Sequence, residues 1–342
     1  MKAAAPPPPY ETSGFDEGPA RALLSRHQWP PGLQDACMLT RRAFAHRYWI
    51  VDNSGSMSTP DGSRLEQGAG TERLVGCSRW VEVADAIEFH GELAAVLQAP
   101  TTFAFLNPPR TGAQRVVVSS AANLPELRAA AASGPGGGTP LCEHVRSMAA
   151  LIQADAERLR SAGQMVVLVI VSDGLPTDGD LAAAMEPLTK LPVWIVVRLC
   201  CDEERVIRFW ANLDEQLELD MDVLDDLKSE AEECDSHNPW FTYGVQVHRL
   251  REWGVHEKIL DLLDERALSS AEVRSLCAFV FGQGAAALPH PELDLSAFVL
   301  ALDALQFKFP QPFNALRGRR TPWLNVKLLK RYLKPGGGCA IM

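Results

Sequence analysis

Residues 165–171 read Met-Val-Val-Leu-Val-Ile-Val, a seven-residue apolar run dominated by β-branched side chains. A strand with one wet face alternates apolar and polar residues, so an unbroken run predicts a strand buried on both faces, as in parallel sheets sandwiched between helices. Residues 192–200 repeat the pattern, residues 48–53 give a shorter β-favouring run, and 221–224 fit a last strand ahead of an acidic helix through Cys234. Helical spacing fills the intervals. It runs over 78–99 through Val83, Ile87, Ala94 and Leu97, over 141–159 through Leu141, Val145, Met148, Ile152 and Leu159, over 180–190, and over 203–217 through Val206, Phe209, Trp210 and Leu213. Such alternation predicts an α/β fold with a doubly wound, mostly parallel sheet. Residues 101–107 and 114–120 depart from it, reading as two strands joined by a Pro-Pro-Arg-Thr-Gly turn region.

The flanks differ from this middle. Residues 1–35 are rich in proline, glycine and small polar residues without periodicity and read as a disordered arm. The α/β pattern covers 44–237; residues 238–335 read as a helical extension with helices at 245–253, 256–267, 271–281 and 295–306, the third opened by a Ser269–Glu272 capping box. Residues 336–342 read as a flexible tail.

Charge is placed unevenly. Asp303 is the last acidic residue and eight basic ones follow it, leaving 25 of the 33 Lys and Arg against all 43 Asp and Glu before it, a net −18 in a chain of net −10. So acidic a body argues against nucleic acid as a partner, while the basic tail suits an anionic membrane surface. The eight cysteines form no C-x-x-C pair and fit reduced thiols. With no secretory pattern at the start and no apolar run of about 18 residues, the expected location is cytoplasmic.

Three separated segments carry candidate chemistry. Asp52, Ser54 and Ser56 follow the first strand, Gly136-Gly137-Gly138-Thr139-Pro140 precedes the 141–159 helix, and Ser172-Asp173-Gly174 ends the 165–171 strand. Open parallel sheets bind ligands beyond the carboxyl ends of their strands, where all three fall. Two carboxylates and three hydroxyls, without nitrogen or sulfur, suit a hard octahedral cation. Neutral hydroxyl ligands would leave that ion most of its charge and draw an anionic ligand from outside.

Asp52-x-Ser54-x-Ser56 with Thr139 and Asp173, in this order and after these strands, resembles the metal-ion-dependent adhesion site of von Willebrand factor type A domains. The resemblance covers about residues 44–237. It implies a Rossmann-like sheet with one antiparallel edge strand, in keeping with the 101–120 hairpin. It implies Mg²⁺ or Mn²⁺ held directly by Ser54 and Ser56, by Thr139 directly or through water, and by Asp52 and Asp173 mainly through water. It also implies a non-enzymatic interaction module that recruits a carboxylate of a partner protein. The alternatives are a metal-assisted hydrolase, for which His144 is the nearest candidate base, and a scaffold that binds through its helical extension. Asp178 and Asp180 read as turn and N-cap residues, and Cys200 and Cys201 as packing.

Both ends carry short motifs. Cys339-Ala340-Ile341-Met342 matches a C-a-a-X prenylation pattern in which a terminal Met favours farnesyl, and with the basic tail it predicts anchoring of Cys339 at the cytoplasmic face of a membrane. Pro7-Pro8-Pro9-Tyr10 fits a Pro-Pro-x-Tyr ligand for WW-type domains.

Overall fold

The computed structural model describes residues 15–67, 72–217 and 219–334. Cys339 and the 7–10 motif lie outside the described residues. These residues fall into two compact units: residues up to 20, 39–64 and 75–226 make the first, and 21–38, 65–74 and 227 onward make the second.

The first unit is built on a six-stranded sheet. Its strands are β1 (Phe44–Val51), β4 (Thr101–Phe105), β5 (Arg115–Val118), β6 (Met165–Ser172), β7 (Val193–Leu199) and β8 (Met221–Leu224), ordered β5-β4-β1-β6-β7-β8. A hairpin of β2 (Gly62–Gln67) and β3 (Glu72–Cys77), which the periodicity did not reveal, is interposed after β1. All pairings in the large sheet are parallel except β4 with β5, so the antiparallel strand is at the edge. The chain is thus α/β with a mostly parallel, doubly wound sheet.

Alternation along the strands divides the core between two faces. Tyr48, Ile50, Leu168, Ile170, Ile195 and Val197 pack with Leu141, Val145, Met148 and Ile152 of α5 (Leu141–Ser161), and with α6 (Leu181–Met185) and α7 (Glu204–Leu217). Trp49, Phe103 and Phe105 point the other way, toward α3 (Arg79–Leu97). Trp49 lies 4.7 Å from His90 and Trp80 lies 6.3 Å from Phe105 between ring centroids. Ser78 caps α3 by accepting from the Val81 amide.

The amino-terminal region corrects the sequence reading. Instead of a disordered arm to residue 35, α1 (Gly18–Arg26) and α2 (Pro31–Ala43) are formed, with Leu23, Leu24, Trp29 and Leu33 buried. Pro and Gly break helix interiors, but Pro31 opens α2, where its missing N–H would have no helical partner anyway. Gly32 allows close packing: a Cβ there would stand 2.2 Å from the Phe279 carbonyl oxygen.

Besides 21–38 and 65–74, the second unit takes in α8 (Leu227–His237). It continues through α9 (Val245–Glu252), α10 (Lys258–Glu265), α11 (Ser270–Phe281), α12 (Leu295–Gln306) and α13 (Val326–Tyr332). Trp240, Trp253, Phe281, Phe298 and Trp323 fill its core. The capping box forms as expected, with the Ser269 amide donating to Glu272 Oε2 at 2.8 Å. Among the described residues no helix is long and apolar enough to cross a membrane.

Candidate metal centre

From β1 the chain leaves toward β4 on one side, and later returns to β6 on the other, so the carboxyl ends of β1 and β6 flank a topological switch point. The register sets Val51 beside Val171, and the Asp52 amide donates to the Val171 carbonyl at 2.9 Å. Asp52 and Asp173 therefore project from adjacent strand ends because of where the hydrophobic runs stop.

Asp52 is fully buried. Its Oδ1 accepts the Ser54 amide at 2.8 Å and its Oδ2 accepts the Ser172 hydroxyl at 2.7 Å. Burial raises its pKa above the ordinary carboxylate value, against the lowering effect of these hydrogen bonds, and nearby Asp173 adds to the rise. After Ser54 the chain turns through a short 3₁₀ segment, Gly55–Ser58. Ser54 Oγ and Ser56 Oγ stand 3.0 Å apart, and Ser56 Oγ donates to Asp173 Oδ1 at 2.8 Å. Asp52 and Ser54 are buried while Gly55 and Ser56 are exposed, so the group opens outward at Ser56.

The glycine loop meets this turn through its backbone. The Gly136 amide donates to the Asn53 carbonyl at 2.8 Å, and the Gly55 amide to the Gly137 carbonyl at 3.1 Å. Thr139 is buried next to this loop, its amide donating to Thr177 Oγ1 at 3.2 Å and its carbonyl accepting the Thr177 amide at 2.9 Å. All five expected residues thus lie on segments joined at one edge of the sheet. Four are linked by hydrogen bonds through the Asp52–Ser54 turn, and the Thr139 side chain does not enter that chain.

Two partners escaped the sequence reading. Asn107, just past β4, donates its amide to Asn53 Oδ1 at 2.7 Å and its Nδ2 to the Gly138 carbonyl at 2.8 Å. Asn53 Nδ2 returns a bond to the Asn107 carbonyl at 2.9 Å. Gly137 has φ +94, and a Cβ there would lie 2.4 Å from Asn107 Oδ1, so only glycine fits beneath this clip. The second partner is Arg79, a buried cation whose Nη1 donates to Asp173 Oδ2 at 2.8 Å. Its Nε and Nη2 hold Asp61 in a two-point grip at 2.8 and 2.6 Å. The hydrogen bond to Asp61 pushes the arginine pKa further up, despite desolvation, and the same bond pulls the Asp61 carboxyl below its usual range. One oddity could have flagged it. Arg79 is the first residue of α3, where a cation opposes the helix dipole, and such a misfit asks for a nearby anion.

The remaining candidates have other occupations. His144 is half-buried, with Nε2 3.2 Å from the Leu106 carbonyl, and burial lowers its pKa. Asp178 accepts the Cys142 and Glu143 amides at 3.0 and 2.8 Å and so caps α5 from across the loop, while Asp180 caps α6. Cys201 donates its thiol to the Asp173 carbonyl at 3.2 Å.

The donor set can be tested against Mg²⁺. Neighbouring ligands of an octahedral ion at 2.0–2.1 Å stand about 2.9 Å apart, and the hydroxyl oxygens of Ser54 and Ser56, the two expected direct ligands, match that edge at 3.0 Å, with Asp173 Oδ1 accepting from Ser56 alongside. No three His, Cys, Asp or Glu side chains among the described residues form a metal-holding group, so any ion here would rest on hydroxyls with two carboxylates. No protein-family model and no curated protein sequence matches the chain.

Proposed function

We propose that the first unit is a von Willebrand factor type A-like interaction module that holds Mg²⁺, or Mn²⁺, and recruits a carboxylate of a partner protein. One observation carries this reading. Ser54 and Ser56, the two expected direct ligands, present hydroxyl oxygens at octahedral-edge spacing beside Asp173, at a sheet switch point that opens outward at Ser56. Ser54 and Ser56 would hold the ion, with Thr139, Asp52 and Asp173 around it. The bound ion supplies positive charge for an outside anion. Asp52 fixes the turn through the Ser54 amide and Ser172 fixes Asp52, so the hydroxyls are oriented beforehand. Arg79 cancels part of the carboxylate charge, which leaves the ion more attractive to a partner's carboxylate.

A binding role is favoured over hydrolysis because His144, the nearest candidate base, is turned to the Leu106 carbonyl. Calorimetric titration with Mg²⁺ and Mn²⁺ should give saturable binding to the wild type and none to Ser54→Ala or Asp173→Ala. Equal heats from all three proteins would remove the metal reading. Affinity capture with and without EDTA then reads whether partner binding needs the ion.

A further inference from the structure

The twelve residues of α12, Leu-Ser-Ala-Phe-Val-Leu-Ala-Leu-Asp-Ala-Leu-Gln, include only Ser296, Asp303 and Gln306 as polar members. A helix apolar on nearly every side belongs in an interior. Only one side of α12 has one: Phe298, Leu302 and Leu305 are buried, while Leu300 is 74% and Phe307 68% exposed. Residues seven apart return to within about 20° of the same line, so Leu300 and Phe307 share a stripe opposite the buried face, flanked by Ala297 and Ala304 on one side and by Ser296 and Asp303 on the other. At the amino end, Leu293 precedes the cap residue Asp294, a position whose side chain commonly staples onto the fourth helical residue, here Phe298. Leu293 is 87% exposed and does not serve that way. From α13, Lys330 donates to Ser296 Oγ at 3.2 Å, so α13 flanks the stripe and leaves it open.

We infer that this face of α12 pairs with the same face of a second copy of the chain, the two helices running antiparallel about a two-fold axis at Leu300. Charge decides the occupant and the direction. Glu292 and Asp294 are exposed at the amino end and Lys308 at the carboxyl end. Antiparallel pairing sets each Lys308 against the acidic end of the other copy and each Asp303 toward Ser296 and the Lys330 that bonds it, whereas parallel pairing sets like against like and an anionic lipid surface would meet Glu292, Asp294 and Asp303 along with Lys308 and Lys330. Large side chains at 293, 300 and 307, with alanines between, give knobs and the spaces to receive them. The contact is isologous, each large residue being used once by each copy. A single pair of short helices falls at the small end of stable interfaces, below about 1,200 Å², so the association is weak and concentration-dependent. The pairing does not depend on the metal reading.

Sedimentation equilibrium of the full chain tests it. The wild type should move from monomer toward dimer as concentration rises. Leu300→Glu, at an exposed position and with unchanged circular dichroism, should weaken association by about tenfold or more, because two glutamates meet at the axis. Lys308→Glu should weaken it less, and adding Glu292→Lys, which leaves the Asp294 cap in place, should restore it. A wild type monomeric at every concentration, a dimer unaffected by Leu300→Glu, or a charge swap without rescue would overturn the inference. So would a monomer that binds anionic phospholipid vesicles through Leu300, which would make lipid the occupant.

Discussion

The two carboxylates at the switch point are neighbours on adjacent strand ends, yet they are stabilised differently. Asp52 is held by neutral donors alone, the Ser54 amide and the Ser172 hydroxyl. Asp173 shares its two oxygens between the Ser56 hydroxyl and the Arg79 guanidinium. A buried carboxylate with only dipoles around it keeps much of its desolvation penalty, which is why Asp52 titrates above the usual range. Asp173 instead has a full opposite charge within 2.8 Å, on a side chain that is itself buried. One end of the pair therefore orients the turn and the other balances charge. Changes at the two ends should differ in size and in their response to a cation.

The largest effect is expected at Arg79. Arg79→Gln leaves the Asp173 carboxylate buried without its counter-charge and frees Asp61, and breaking a buried ion pair from one side costs roughly 3–5 kcal/mol. Urea unfolding of the full chain should show that loss in the transition of the first unit. Millimolar Mg²⁺ should return more stability to Arg79→Gln than it gives the wild type, since an ion beside Asp173 replaces the missing charge. Equal stability of the two proteins without metal would show that the ion pair contributes nothing and that the contrast between the carboxylates is false.

Arg79 also marks where the sequence stopped being readable. Strand β6 was legible because burial on both faces leaves Met165 to Val171 without a polar residue, β7 because Arg198 alone interrupts it, and β1 only from Tyr48, past His46 and Arg47; α5 was legible because its buried positions recur at helical spacing. Asp52, Ser54, Ser56 and Asp173 were legible because each follows such a run. Arg79 and Asn107 reach the site from 94 residues before Asp173 and 54 after Asn53, and nothing local announces those bonds. The error at α1 and α2 was of another kind. Pro31 and Gly32 are breakers inside a helix, but one opens α2 and the other admits the backbone near Phe279, so composition was right and position decided.

A smaller effect is expected at the other carboxylate. Asp52→Asn keeps the shape and an acceptor for the Ser54 amide while removing a charge the fold holds at a penalty, so stability near neutral pH should change by about 1 kcal/mol or less. The pH dependence carries the sign. Because the folded Asp52 carboxyl titrates above its unfolded value, the folded wild type takes up a proton first as pH falls, and its stability should rise relative to Asp52→Asn through that range. Paired denaturation curves from neutral pH down to about pH 4 would read this. A wild type that loses ground to the variant on acidification would mean Asp52 is stabilised as an anion.

The smallest effect on the fold belongs to Thr139, the site residue whose hydroxyl joins neither carboxylate's network. Its amide and carbonyl are engaged by Thr177, so the loop is held through backbone that a substitution leaves in place. Thr139→Val keeps the branched shape and removes only the hydroxyl. The first unit should unfold within about 0.5 kcal/mol of the wild type. The calorimetric Mg²⁺ affinity should nevertheless fall, by about tenfold for one lost ligand or one lost hydrogen bond to a coordinated water. That separation is the sharpest form of the comparison. Asp173 and Arg79 should act on stability and metal together, Asp52 mainly on orientation, and Thr139 on the metal alone. If Thr139→Val lowers stability as much as Arg79→Gln while leaving Mg²⁺ binding untouched, the glycine loop is a structural brace and the ion has no ligand there.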